Sequence, residues 1–217
     1  MRNSFHGELE ELQAEILRMG GIVEEAIDRA VRSLSNQDVA LARQVIDDDD
    51  VVDDLEIAIE KRCLNILALQ QPVAGDLRVV GTALKIVTDL ERMADHASDI
   101  AKVTVRLEGQ PLIKPLIDIP RMAELAQRMT REALTSYVRR DQELARRMIQ
   151  LDDSVDHLYG QIFRELLVYM MEDPRTIRQA TYLLFVAQYL ERIADHATNL
   201  GEWVIFMVTG DRVELNN

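Results

Sequence analysis

Apolar residues at the start of the chain fall at alternating steps of three and four: Phe5, Leu9, Leu12, Ile16, Met19, Val23, Ala26, Ala30 and Leu34. That spacing is the seam of a helix packed against other helices, so the pattern predicts one long first helix. Ser35 and Asn36 break it, Asp38 is a good N-cap, and a second seam of Leu41, Val45, Val52, Leu55, Ile59 and Ile66 runs on to Leu69. The stretch QQPVAGDLR then interrupts the rhythm. Pro72 does not fit a helix interior and is expected to open a third helix, which carries Leu77, Val80, Leu84, Val87, Ala94 and Ala97 to the region of Leu107. Gly109 and Pro111 stop it.

Three prolines within residues 109–120 mark a linker, and beyond it the pattern begins again. Met19 is answered by Met122, the N-cap Asp38 by Asp141, Asp49 by Asp152 and Asp53 by Asp156, all at an offset of 103. The offset drops to 100 where QQPVAGDLR is answered by the shorter EDPRTIR, so LERMADHASDI from Leu90 returns as LERIADHATNL from Leu190. Asp173 and Pro174 form an N-cap and first-turn pair for a sixth helix that ends at Gly210. Sustained apolar/polar alternation of the strand type is missing. The predicted fold is therefore all-α: two pseudo-symmetric antiparallel three-helix bundles, six long helices in all. The first repeat is placed at residues 1–110, the linker at 111–120 and the second repeat at 121–217. Each third helix would be roughly 50 Å long at the usual rise per residue.

Composition narrows what such a bundle does. The chain has 217 residues, nearly half of them apolar, enough to bury a core. Its 38 acidic and 25 basic residues leave a formal charge of −13, which repels phosphate backbones, argues against a nucleic-acid partner and leaves cationic partners open. No apolar run approaches the ~20 residues needed to span a bilayer, and MRNSFHGELEEL lacks the apolar core of a signal peptide, so a cytoplasmic location is expected. The single cysteine, Cys63, lies within an apolar helical pattern and reads as a buried, inert thiol.

The candidate chemistry is acidic. Residues four apart share a helix face, so Glu91, Asp95 and Asp99 form a line one turn apart, and unpaired like charges at that spacing cost a few tenths of a kcal/mol per pair. Either the basic neighbours Arg92 and Arg192 neutralise them or bound cations do. Asp49 and Asp53, with Asp50 and Asp54 beside them, offer a matching element on the second helix; the second copy offers Asp152, Asp156, Glu191 and Asp195. All-oxygen clusters suit magnesium, calcium, manganese or iron. Asp99 becomes Asn199 in the second copy, so weaker metal binding is expected there. Against this, the acidic run at residues 47–50 also fits a plain solvated helix face.

His96 and His196 sit about 100° round the helix from the aspartates, which leaves capping, packing and ligation all open. His157 and His6 read as surface residues, and Trp203 as a core or dimer contact. No Gly-rich phosphate loop, nucleophile elbow or HExxH is present, nor is the Glu-x-x-His of di-iron bundles, so the chain does not read as an enzyme.

QQPVAGDLR followed by LKIVTDLERMADHASDIA, with LLFVAQYLERIADHATNLGE in the second half, closely resembles the PhoU family of regulators of bacterial phosphate-specific transport. The likeness spans nearly the whole chain, from the region of Leu9 to Gly210. It implies two spectrin-repeat-like three-helix bundles and a non-enzymatic regulator that represses phosphate uptake and the phosphate-starvation response. The implied partners are the ATPase subunit of the phosphate ABC transporter and the sensor histidine kinase of the phosphate regulon, with a homodimer as the expected assembly. The resemblance also implies multinuclear iron or zinc bound by carboxylates, which fall here on Asp49, Asp53, Glu91, Asp95 and Asp99 and on Asp152, Asp156, Glu191 and Asp195. The alternatives are a carboxylate metalloenzyme of redox or hydrolytic type, and a purely structural helical scaffold.

Overall fold

The computed structural model describes residues 2–215, with side chains from Phe5 onward; Met1, Asn216 and Asn217, at the ends of the two expected repeats, lie outside the described residues. The first repeat consists of α1 (Arg2–Asn36), α2 (Val39–Asp47), α3 (Asp49–Gln70) and α4 (Ala74–Arg106). The second consists of α5 (Asp118–Arg139), α6 (Gln142–Arg146), α7 (Met148–Glu172) and α8 (Ile177–Thr209), with a 3-10 turn at Pro174–Thr176 leading into α8. Among the described residues there is no strand. The all-α reading is thus correct, and each expected second helix is interrupted.

The interruptions fall at Asp48 and at Arg147, which at the offset of 103 answers Gln44 and so lies one helical turn earlier in the second repeat; both residues keep right-handed backbone angles. At Asp48 the N–H still bonds to the Gln44 carbonyl at 2.9 Å, so the chain bends without losing helical phase. The caps repeat as well. Asp38 accepts from the Leu41 N–H at 3.0 Å, and Asp141 accepts from the N–H groups of Glu143 and Leu144, also at 3.0 Å. Pro72 lies two residues before α4 and not at its first position, because Val73 takes the extended N-cap conformation.

The seam residues meet in one core, where Leu12, Ile16, Met19, Ile86, Leu90, Met93, Met122 and Leu190 are fully buried. Two contacts join the repeats: α4 packs on α8 and α1 packs on α5. Gly20 marks the second contact, since a Cβ there would stand 2.1 Å from Leu134 Cδ1. The linker is held down by polar groups. Gln179 accepts from the Ile113 N–H at 2.5 Å and donates to the Pro111 carbonyl at 3.0 Å, and the nearly buried Lys114 pairs with Glu165 on α7. Cys63 is fully buried, and burial pushes its thiol up to about 12, which keeps it protonated and inert.

Candidate functional site

Helix α3 carries Asp49 and Asp53 along the edge that faces α4, and α4 presents Glu91 and Asp95 across the groove, because the Val52 to Ile59 and Leu90 to Ala97 seams hold the two helices in register. The electrostatics report how close these groups are. Burial pushes Glu91 up to about 7, with Asp95, Glu56 and Asp53 adding to the rise and Arg92 opposing it. Burial also raises Asp49, helped by Asp95 and Asp53 and opposed by the Ser98 hydroxyl and Lys102. Ser98 is buried and faces Asp49 without completing a hydrogen bond, whereas its counterpart Thr198 donates to Asp152 Oδ1 at 3.3 Å.

Basic neighbours neutralise only part of this groove. Arg92 Nη1 donates to Asp95 Oδ2 at 3.1 Å, and its Nε lies 3.3 Å from Glu91 Oε2 in an ion pair that does not meet hydrogen-bond geometry. Glu91 Oε2 is therefore a buried oxygen with no hydrogen bond. Asp99 is engaged by Lys102 Nζ at 2.9 Å, one turn away from the Glu91–Asp95 pair.

Two further carboxylates belong to the groove and were missed in the sequence reading. Glu56 and Glu60 extend the line of Asp49 and Asp53 at steps of three and four, and both are half-buried. Burial raises Glu56, and Glu60 and Asp53 raise it further, while the Thr88 hydroxyl and Arg92 lower it. The signal was present: the 4-3-4 spacing of these acids is a single helix face.

The second groove, between α7 and α8, gathers Asp152, Asp156, Glu191 and Asp195. Burial pushes Asp152 up to about 6, aided by Asp156 and Asp195. Burial and the neighbouring Asp195 and Asp156 raise Glu191, and burial and Asp156 raise Asp195 against His196 and Arg192. At the offset of 103, the places of Glu56 and Glu60 are taken by Tyr159 and Phe163.

The histidines of the doubled phrase sit on the seam between α4 and α8. His196 Nδ1 lies 2.8 Å from Asp89 Oδ1, and Asn199 Nδ2 donates to the same oxygen at 3.5 Å. His96 stacks on Tyr189 with ring centroids 5.7 Å apart and lies 5.8 Å from the His196 ring. Positions 89 and 189 thus each receive the histidine of the opposite repeat, one through a hydrogen bond and the other through stacking. Burial lowers His96, as do His196 and Arg192, which keeps it neutral. Trp203 is half-buried, with Arg212 at 4.8 Å and Lys85 at 5.7 Å from its ring.

The donor chemistry fits a hard or borderline cation. It is all oxygen, it includes a buried carboxylate oxygen without a hydrogen bond, and burial, helped by neighbouring acids, raises both Glu91 and Asp49. Among the described residues no three His, Cys, Asp or Glu side chains converge closely enough to hold a metal ion as they stand. No helix among the described residues is long and apolar enough to cross a membrane.

Comparison with known proteins agrees with this architecture. Two segments, residues 16–104 and 119–204, each match the PhoU domain family. The phosphate-specific transport system accessory protein PhoU homolog of Aquifex aeolicus is 45% identical over 207 residues, covering 95% of this chain and 94% of that one. The protein of the same name in Clostridium acetobutylicum is 43% identical over 217 residues, covering 100% of this chain and 99% of the relative. Among solved structures, PhoU from Pseudomonas aeruginosa superposes with a TM-score of 0.91 at 39% identity, covering 95% of this chain and 100% of that one. The phosphate transport system regulatory protein PhoU from Streptococcus pneumoniae gives a TM-score of 0.90 at 30% identity, covering 97% and 99% of the two chains.

Proposed function

The chain belongs to the PhoU family, and from that premise we propose that it is a non-enzymatic regulator of phosphate uptake, an adaptor between the phosphate ABC transporter and its sensor histidine kinase. The observation that carries this reading is that both repeats match the family along their length, with near-full-length relatives named as transport accessory proteins. An adaptor needs rigid, chemically distinct faces, and the single core with an anchored linker supplies the rigidity. The distinct faces are the two acidic grooves. In the cell this reading places the protein in the cytoplasm, as a homodimer, repressing uptake and the starvation response when phosphate is plentiful.

The grooves are proposed to take iron or zinc ions. When bound, a cation would neutralise the carboxylates and cross-link α3 to α4, or α7 to α8. In the first repeat Asp49, Asp53, Glu91 and Asp95 would hold it, with Asp99 available once Lys102 releases it; in the second, Asp152, Asp156, Glu191 and Asp195. Closing such a ligand set requires side-chain rotation, and the buried, unbonded Glu91 Oε2 is the oxygen with least to lose by it. The structural-scaffold alternative draws support from the Arg92 and Lys102 ion pairs, which neutralise part of the first groove without metal. Elemental analysis separates the two.

The adaptor reading is tested by affinity capture of the tagged full-length chain from phosphate-replete cells under gentle conditions. Recovery of the transporter ATPase subunit and the sensor kinase is the expected result. Recovery of neither would overturn it.

A further inference from the structure

A cavity of about 190 Å³ opens beside the first acidic groove, where α1, the bend between α2 and α3, and the middle of α4 meet. Its wall is aliphatic: Ile22, Ala26, Val45, Val52 and Ala94. The mouth carries Glu25, Arg29, Asp48 and Asp49. For scale, an apolar cavity of ~150 Å³ accommodates benzene, so this one is fragment-sized.

The second repeat shows why the space exists. At the equivalent positions Ala26 is replaced by Met129 and Val45 by Met148, both fully buried. The second copy thus carries two longer buried side chains at positions where the first has Ala26 and Val45. Shorter side chains at these two positions leave more room in a close-packed interior.

The charges at the mouth select the occupant. Arg29 Nη1 is already taken by Asp48 Oδ2 at 2.7 Å, while Glu25 is exposed and has no ion-pair partner among the described residues. Three carboxylates against one guanidinium leave two negative charges on the rim of an apolar cup. We propose that this cavity is a binding site for a small organic monocation, with an aliphatic or aromatic body in the cup and an ammonium group at Glu25 and Asp49. An anion of the same shape meets repulsion at the mouth, and a neutral one gains only the apolar contact. The site shares Asp49 at its mouth with the carboxylates proposed to take metal, whereas Glu25 and the aliphatic cup lie outside that set, so metal-free protein is the form in which the two readings are told apart.

The test uses the full-length protein, methyl-labelled and stripped of metal by chelation, titrated separately with benzylamine, benzyl alcohol and phenylacetate. Benzylamine is expected to give saturable shifts at the Ile22, Val45, Val52 and Ala94 methyls. Phenylacetate should bind about fivefold more weakly or worse, the scale of one partly exposed charge pair. Ala26→Met with Val45→Met, which copies the second repeat, should weaken benzylamine by at least about tenfold, the scale of a filled apolar pocket. Should that variant fail to fold, Glu25→Gln carries the test: it lowers benzylamine affinity and leaves benzyl alcohol unchanged. Absence of saturable shifts with benzylamine, equal affinity for the two ions, or undiminished binding in a folded filled variant would overturn the proposal.

Discussion

The two grooves are built on the same helices at the same positions, yet they differ in kind. Between α3 and α4 the acids continue from Asp49 and Asp53 through Glu56 and Glu60, facing Glu91, Asp95 and Asp99. Between α7 and α8 the line stops after Asp156: Tyr159 and Phe163 follow, and Asn199 stands in place of Asp99. The centre of the core is shared, since Leu90 and Leu190 are both fully buried, while at its edge Ala26 and Val45 give way to Met129 and Met148. Duplication has kept the centre of the packing and separated the surfaces.

The largest effect is expected in the core. Leu90→Ala and Leu190→Ala should each cost about 3 kcal/mol in chemical denaturation, because each deletes a buried side chain and leaves a cavity. Costs that differ by more than about 1 kcal/mol would show that the packing is not equivalent after all.

Cation binding comes next. At a hundredfold excess of metal over Kd the stabilisation is about 2.7 kcal/mol, so chelation should lower the melting temperature by about 5–10 °C for a chain of this size. Importing acids with Tyr159→Glu and Phe163→Glu should enlarge that difference, and Glu56→Tyr with Glu60→Phe should reduce it, both read by scanning calorimetry with and without chelator.

A smaller effect distinguishes the grooves by pH. A carboxyl raised in the folded state is protonated in both states below its unfolded value, so its contribution to stability is complete there and is lost as pH rises through the folded value. For Glu91 the loss in metal-free protein runs from pH 4.5 to about 7; for Asp152 it runs from 3.8 to about 6. Glu91→Gln should therefore flatten the upper part of the stability profile and Asp152→Asn the lower part, measured by urea unfolding at a series of pH values.

How much of this was legible from residues alone follows from the range of the interactions. The seams, the caps Asp38 and Asp141 and the all-α repeat are local or periodic, and the pattern displayed them. The bends at Asp48 and Arg147 stayed hidden because the helical phase runs on through them: the Val45 to Val52 step of seven looks the same in a straight helix. Glu56 and Glu60 were readable from spacing and overlooked. The pairing of His196 with Asp89, 107 residues apart, and the gap left by Ala26 and Val45 depend on which helices face each other, which no single-helix pattern contains.

That seam provides the next test in order of size. Asp89→Asn should cost about 1–2 kcal/mol by removing a partly buried charged acceptor from His196, whereas Tyr189→Leu, which keeps apolar bulk against His96, should cost less. The smallest effect is expected at Arg92→Gln. Its guanidinium is exposed, so the loss in stability should stay within a few tenths of a kcal/mol, and metal content should hold or rise as Glu91 and Asp95 are freed.

The asymmetry of the two grooves is most directly tested by elemental analysis of purified full-length protein beside two variants, Glu91→Gln with Asp95→Asn and Glu191→Gln with Asp195→Asn. The groove comparison predicts that the first variant loses the larger share of bound metal. Equal losses, or a larger loss from the second, would contradict it.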